Sequence, residues 1–266
     1  MIQDQVLRKL SRTWNLRLDG VEKHYVLGWI LYGVSQSSMA KNLAFKGGTS
    51  LSKIYFPSDW RLSEDLDFTI LDDVNLDKIV KALGEEVPET VKKTGGIELR
   101  QKEKPHTNQD YLQYKMGYTG PIGSGAVKIE IAREKFVGDV IKKNVPNIPT
   151  EFDYPKFTVQ AYSLETLMGE KTRAIIERGY LRDYHDVWKL LKEKEFNRAK
   201  AKEMFDKKCK AKGVVFSGVE QFFPEGIVET LKQYLETGLV RLSREPLPPI
   251  EEWMEELRIL LRGFFS

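Results

Sequence analysis

Lys46-Gly47-Gly48-Thr49-Ser50-Leu51, followed after a loop by Arg61-Leu62-Ser63-Glu64-Asp65-Leu66-Asp67-Phe68, is the stretch on which the fold of this chain turns. The apolar run Leu43-Ala44-Phe45-Lys46 reads as a short strand, Gly47-Gly48 as a turn, and Thr49 to Phe56 as a helix. Pro57 stops that helix, because a residue preceding proline is pushed toward extended backbone. Asp65 to Ile70 alternates polar with apolar, a period of two that predicts a half-buried strand with both carboxylates on one face. Two carboxylates that close repel unless a cation lies between them. Mg2+ suits such a pair, since it takes one or two carboxylates and fills its shell with substrate phosphates and water, and Mn2+ accepts the same oxygen ligands. The glycine pair lets backbone approach a phosphate closely, the following helix offers free N–H groups, and Thr49 or Ser50 could add a hydroxyl. The Gly-x-x-x-x-Gly-Lys-Ser/Thr spacing of a P-loop is absent.

A third acid lies further along, in Val127-Lys128-Ile129-Glu130-Ile131, where Lys128 and Glu130 share one face. If this strand neighbours the Asp-x-Asp strand, Glu130 completes a three-carboxylate site with Asp65 and Asp67, able to hold the two metal ions that in-line phosphoryl transfer uses. Three alternating runs, Ile97 to Glu103, Tyr111 to Tyr118 and Ala126 to Ile131, predict the antiparallel part of a mixed sheet, with Gly120 to Gly125 as a hairpin connection. Upstream, Val21 to Ser35 reads as a buried helix. Asn144 to Pro149 reads as a linker, and a soft boundary near Pro155 separates residues 1–155 from a mainly helical region, 156–266. That region carries candidate helices at Leu164 to Glu177, Asp183 to Lys192, Arg198 to Lys210, Gly218 to Leu235 and Ile250 to Arg262. The last presents an apolar stripe, Ile250, Trp253, Met254, Leu257, Leu260 and Leu261, suited to docking on the body of the protein or on a partner.

Composition bounds the reading. The chain has 266 residues with 41% hydrophobic and 30% charged, which excludes a disordered tail or fibrous repeat. Its 42 Lys+Arg against 39 Asp+Glu leave a net charge of +3, too little for a protein that coats nucleic acid. A single cysteine, Cys209, excludes a disulfide scaffold and cysteine-ligated zinc and fits a reducing cytoplasm. No run approaches the roughly 20 apolar residues that cross a bilayer, so no membrane role is expected.

The paired motifs, Lys46 to Leu51 and Arg61 to Phe68, resemble those of the DNA polymerase β-like nucleotidyltransferases, and in particular the AbiEii/AbiGii toxin branch. Glu170-Lys171-x-Arg173-Ala174, then Arg178 and Arg182-Asp183-x-x-Asp186-Val187-x-x-Leu190, is similar to the helical motifs of the same branch. The resemblance spans about Val21 to Leu190. It implies an α+β fold, a mixed and largely antiparallel nucleotidyltransferase sheet with flanking helices, followed by a helical C-terminal region. It also implies transfer of a nucleotide from a nucleoside triphosphate (NTP) to an acceptor, an RNA such as tRNA or a protein. Asp65 and Asp67 would be metal ligands, Lys171 would lie near the triphosphate, and Asp183 or Asp186 would be a further essential acid. Gly47, Gly48, Thr49, Ser50, Arg61, Ser63 and Arg173 complete the expected nucleotide-binding set. The resemblance further implies a toxin of a type IV toxin–antitoxin system, whose cognate antitoxin acts with or without direct contact. Two details differ from many superfamily members: sixteen residues separate Gly48 from Asp65, and the third acid is Glu rather than Asp.

Two other readings compete. A nucleotide-sugar glycosyltransferase could use Asp65-x-Asp67 to hold a diphosphate, but nothing in it calls for the glycine turn. A non-catalytic nucleotide-binding or regulatory protein on the same fold has no chemical need for Asp65, Asp67, Glu130 and Lys171 together. Asp183, at the start of its helix, also reads as an N-cap, and His185 needs no catalytic role in a metal mechanism.

Overall fold

The computed structural model describes residues 1–266, which form two compact units, Met1–Ala161 and Tyr162–Ser266. In the first unit, α1 (Asp4–Thr13) and α2 (Leu18–Gln36) precede β1 (Leu43–Lys46). The glycine turn then opens the short helix α3 (Gly47–Ser50), continued by a π-helical turn, Leu51–Tyr55. There follow β2 (Asp65–Ile70), α4 (Leu76–Lys81), α5 (Val87–Gly95), β3 (Glu98–Gln101), β4 (His106–Thr107), β5 (Tyr111–Thr119), β6 (Ser124–Ala132), β7 (Val140–Val145) and β8 (Phe157–Tyr162). The strands form one sheet in the order β3-β5-β6-β2-β1-β8-β7, with β4 paired to β5. Pairs β1–β2, β3–β5, β4–β5 and β5–β6 are antiparallel, while β2–β6 and β1–β8 are parallel. The mixed, largely antiparallel sheet expected from the sequence is present.

The two faces of this sheet differ sharply, and that difference fixes its register. On one face Leu66, Phe68 and Ile70 of β2, Val127, Ile129 and Ile131 of β6, and Leu112, Tyr114 and Met116 of β5 are all buried. At about 1.5–3 kcal/mol for each large apolar side chain, a slip by one residue that turned these nine to solvent would cost roughly 14–27 kcal/mol. The register is therefore set by the apolar face, and the polar face must follow it. Helix α2, buried along nearly its whole length, packs against α5 and against β2 and β6. Its Glu22, itself buried, accepts hydrogen bonds from the backbone N–H groups of Ile122 and Gly123 and so pins the β5–β6 hairpin.

The second unit holds α6 (Leu164–Arg178), α7 (Leu181–Glu193), α8 (Arg198–Lys212), the short helices α9 (Ile227–Lys232) and α10 (Leu235–Gly238), and α11 (Ile250–Phe265). Three features differ from the sequence expectation. The division falls after Ala161 rather than near Pro155, because β8 still belongs to the first sheet, pairing Ala161 with Phe45 of β1. The single helix expected from Gly218 to Leu235 is instead a 3-10 turn, Val219–Phe222, followed by α9 and α10, since Pro224 and a left-handed Gly226 interrupt it. The presumed linker from Asn144 begins inside β7. On α8, Lys208 is buried against Glu170 and the Tyr162 hydroxyl.

Helices α6 and α8 cross where Gly169 faces the α8 backbone, and a Cβ at that position would lie 2.6 Å from the Phe205 nitrogen. Gly169→Ala is expected to destabilise the protein by about 1–3 kcal/mol through overpacking, read as a lower urea midpoint at unchanged slope. Unchanged stability would mean the helices separate freely.

Candidate active site

The polar face of the sheet gathers the first half of the expected site. Antiparallel pairing of β1 with β2 sets Lys46 opposite Asp67, so the glycine turn that follows Lys46 passes over that carboxylate. Gly47 has a positive φ of +75°, and a Cβ there would lie 2.1 Å from Asp67 Oδ2. Only glycine meets both conditions. At Gly48 a Cβ would lie 2.9 Å from Arg61 Nη2 and 3.1 Å from Ser63 Oγ, so both of these predicted residues back the turn. Arg61 is buried and donates to the Leu62 carbonyl at 3.2 Å. The Thr49 hydroxyl donates to the Asp65 carbonyl and the Ser50 hydroxyl to the Gly47 carbonyl at 2.8 Å, so both tie the turn to itself and to β2.

Parallel pairing of β2 with β6 brings Glu130 level with Asp67 and Lys128 level with Asp65, the strand adjacency on which a third acid depended. The side chains meet differently from the expectation. Glu130 accepts a hydrogen bond from the Tyr111 hydroxyl and forms a 2.9 Å ion pair with Lys128. No group of three or more His, Cys, Asp or Glu side chains is arranged to hold a metal ion. Glu130 thus stands beside the Asp65–Asp67 pair, engaged by Tyr111 and Lys128. Two carboxylates on one strand face beside the glycine turn match what Mg2+ takes from a protein.

Lys128 and Tyr111 respond to the acids around them. Burial lowers the affinity of Lys128 for its proton, but the hydrogen bond and charge of Glu130, with the charges of Asp65 and Asp67, reverse this and raise its pKa above the ordinary value. Burial first, then the Glu130 hydrogen bond and the charges of Glu130 and Asp67, push the Tyr111 hydroxyl well above its usual range, so it stays a donor. Beyond Asp67, Lys46 and Thr69 donate to Glu134, the distance from Thr69 being 3.3 Å. Sequence reasoning gave no role to Tyr111 or Glu134, which no short motif marks, and took Lys46 only as the first residue of the glycine-turn motif.

In the second unit Lys171, Asp183 and Asp186 come together. The Lys171 ammonium lies 2.8 Å from Asp183 and 3.0 Å from Asp186, both of which are fully buried. Arg178 grips Asp183 with two hydrogen bonds, 2.8 Å from Nε and 3.1 Å from Nη2. Two cations thus balance two anions, as burial of charge demands. Asp183 is not the helix cap: α7 begins at Leu181 with Tyr180 as the capping residue, and Asp183 points into the cluster from the first turn. His185 Nδ1 lies 3.4 Å from Asp186. Arg173 pairs with Glu177, and its buried Nε has no hydrogen-bond partner.

A family model, the AbiEii nucleotidyl transferase toxin of type IV toxin–antitoxin systems, matches residues 29–256. The chain belongs to this family. It is accordingly a nucleotidyltransferase of the AbiEii type. Its fold is similar to that of MenT4, a nucleotidyltransferase toxin from Mycobacterium tuberculosis H37Rv, at 17% identity and a TM-score of 0.63, with 100% of both chains covered. It is also similar to JHP933 from Helicobacter pylori, at 19% identity and a TM-score of 0.55, covering 94% of this chain and 93% of that one. At such identities the likeness speaks for the fold alone. No curated protein matches the sequence significantly. No helix of this AbiEii-family chain is long and apolar enough to cross a membrane.

The buried cluster has a measurable signature. Burial raises the pKa of Asp183, but the charge of Lys171 and the hydrogen bonds and charge of Arg178 outweigh this and hold it below its ordinary 3.8. A folded-state pKa below the unfolded one gives stability that is present above pH 3.8 and is lost as pH falls through the folded value. Asp183→Asn is expected to cost about 3–5 kcal/mol at neutral pH, because it leaves Arg178 and Lys171 short of an anion, and to flatten the stability profile below about pH 4. Urea unfolding across that range measures both effects, and an unchanged acid slope would sink the assignment.

Proposed function

We propose that this AbiEii-family chain is a Mg2+-dependent nucleotidyltransferase, also able to use Mn2+, that moves a nucleotide from an NTP to a hydroxyl on RNA, such as tRNA, or on protein, as the toxin of a type IV toxin–antitoxin system. The observation that carries this reading is the passage of the Gly47 backbone directly over the Asp67 carboxylate, with Asp65 on the same strand face. Asp65 and Asp67 would hold the cation, leaving its remaining positions for phosphate and water. Bound there, the cation supplies charge neutralisation of the triphosphate and activation of the incoming oxygen.

The chain's own residues prepare this chemistry. Gly47 and Gly48 bring the backbone of the turn against Asp67, Arg61 and Ser63, and Arg61 behind Gly48 places a fixed positive charge at the back of the turn. Lys171, with Arg173, is assigned to the triphosphate, and Asp183 and Asp186 orient the Lys171 ammonium. The acceptor oxygen forms a bond to the α-phosphorus as the bond to pyrophosphate breaks, and the hydroxyl proton leaves to water. The antitoxin and the cytoplasmic setting belong to the same proposal. A glycosyltransferase reading finds no doubly wound parallel sheet to support it.

Incubation with Mg2+, each labelled NTP in turn, and total RNA or cell extract is expected to label RNA or protein. Asp67→Asn removes a ligand charge with little change of shape and should lower transfer at least about a hundredfold with folding intact. Full transfer by that variant would overturn the mechanism.

A further inference from the structure

Lys46 is the last residue of β1, one position before the glycine turn, and the pairing with β2 sets it directly opposite Asp67. Side chains opposite one another in an antiparallel pair leave the same face, with Cβ atoms about 4.5–5.5 Å apart. A lysine is long enough to cross that gap, so the Lys46 ammonium has the Asp67 carboxylate within reach. An ammonium seated there would oppose a divalent cation twice over, by its charge and by occupying the carboxylate oxygens.

A second acid holds the same ammonium. Glu134, two residues beyond the end of β6 at Ala132, accepts from Lys46 Nζ and from the Thr69 hydroxyl, the latter at 3.3 Å. Thr69 lies two residues past Asp67 on β2 and so on the same face, which anchors the glutamate beside the metal pair. The side chains of Lys46 and Glu134 are only 13% and 9% exposed, so the solvent that weakens surface ion pairs is largely excluded from this one. Lys128, level with Asp65, is likewise held by an acid outside the Asp65–Asp67 pair, Glu130 at 2.9 Å. We propose that Glu134 is a positioning residue which, by holding the Lys46 ammonium, limits the hold of that lysine on Asp67 and so sets the affinity of the Asp65–Asp67 pair for the divalent cation, an inference that rests on the transferase reading above. The effect of Glu134 on the cation runs through Lys46 and not through contact with the metal. A neutral residue at 134 turns the ammonium over to Asp67, and the cation must then displace it. Removing the ammonium as well removes the competitor, and the affinity returns.

The test uses full-length protein without NTP and reads Mn2+ binding from the electron paramagnetic resonance signal of the free ion, so it does not depend on turnover. Asp67→Asn identifies the binding that belongs to the carboxylate pair. Glu134→Gln is expected to weaken that binding about tenfold, whereas Lys46→Met/Glu134→Gln should match Lys46→Met within about twofold. Should Glu134→Gln fail to fold, Glu134→Asp, which draws the carboxylate back by one methylene, is expected to give a smaller loss with the same dependence on Lys46. An equal loss from the Glu134 substitution in the presence and absence of Lys46 would overturn the proposal, because Glu134 would then act on the cation directly. Unchanged Mn2+ affinity in Glu134→Gln would overturn it as well. A wild-type protein that binds no Mn2+, or binds it as tightly after Asp67→Asn, would instead bring down the metal pair of the transferase reading, and the role of Glu134 with it.

Discussion

The approach of the Gly47 backbone to the Asp67 carboxylate is the constraint around which the first unit is built. It requires glycine on two separate counts, a left-handed φ and the absence of any room for a Cβ. It also requires that Lys46 stand opposite Asp67, since a shift of one residue would carry the turn past the carboxylate. That register is not set by the polar groups themselves. It is dictated from the opposite face, where alternate residues of β2, β5 and β6 are buried and cannot exchange places with their polar neighbours. The hydrophobic effect, which has no directional preference of its own, thereby positions two carboxylates and a glycine turn relative to one another.

Carboxylates are stabilised by different means in the two units. On the sheet they are partly exposed, and Lys128 and the retained proton of Tyr111 compensate Glu130 while water remains accessible. In the helical unit Asp183 and Asp186 are out of reach of water, where an uncompensated charge costs several kcal/mol. Lys171 and Arg178 cancel that charge, and the geometry joins both acids to the same ammonium. Asp183 has the second cation as well, so the two acids are unequal in support though equal in burial. The question of one essential acid in this motif therefore becomes a question about a shared cluster.

Much of this was legible in the sequence because it rested on local periodicity. The strand, glycine turn and helix around Gly47, the face shared by Asp65 and Asp67, and the β5–β6 hairpin all follow from spacings of two, or from glycine. Glu130 illustrates where such reading stops. Its strand and face were evident, and its place beside β2 is borne out by the pairing, but its engagement by Tyr111 and Lys128 depends on a residue nineteen positions away. The helix expected across Gly218 to Leu235 failed for a local reason, the interruption at Pro224 and Gly226, which apolar spacing alone outweighed in the reading. Helices α4 and α5 went unassigned because they are short and joined by a π-helical turn, Ala82–Glu86, that blurs the usual period.

The C-terminal helix carries no motif, yet its contacts give it a part in the charged cluster. Ile250, Trp253, Met254, Leu257 and Leu261 are buried, so the apolar stripe docks on the protein's own helices rather than waiting for a partner. It packs along α7, where Trp253 meets Trp188 with ring centres 5.7 Å apart. Glu256 then accepts from Trp188 Nε1 and from Lys192 at 2.8 Å each, which fixes α11 in rotation as well as in depth. Helix α7 is the element that carries Asp183 and Asp186. A buried ion cluster tolerates little displacement, because its Coulomb energy must offset a large desolvation cost at every moment. The last helix therefore acts by holding the backbone beneath those acids, and substitutions in its buried stripe should be felt at Lys171 although none of its residues touches the ammonium.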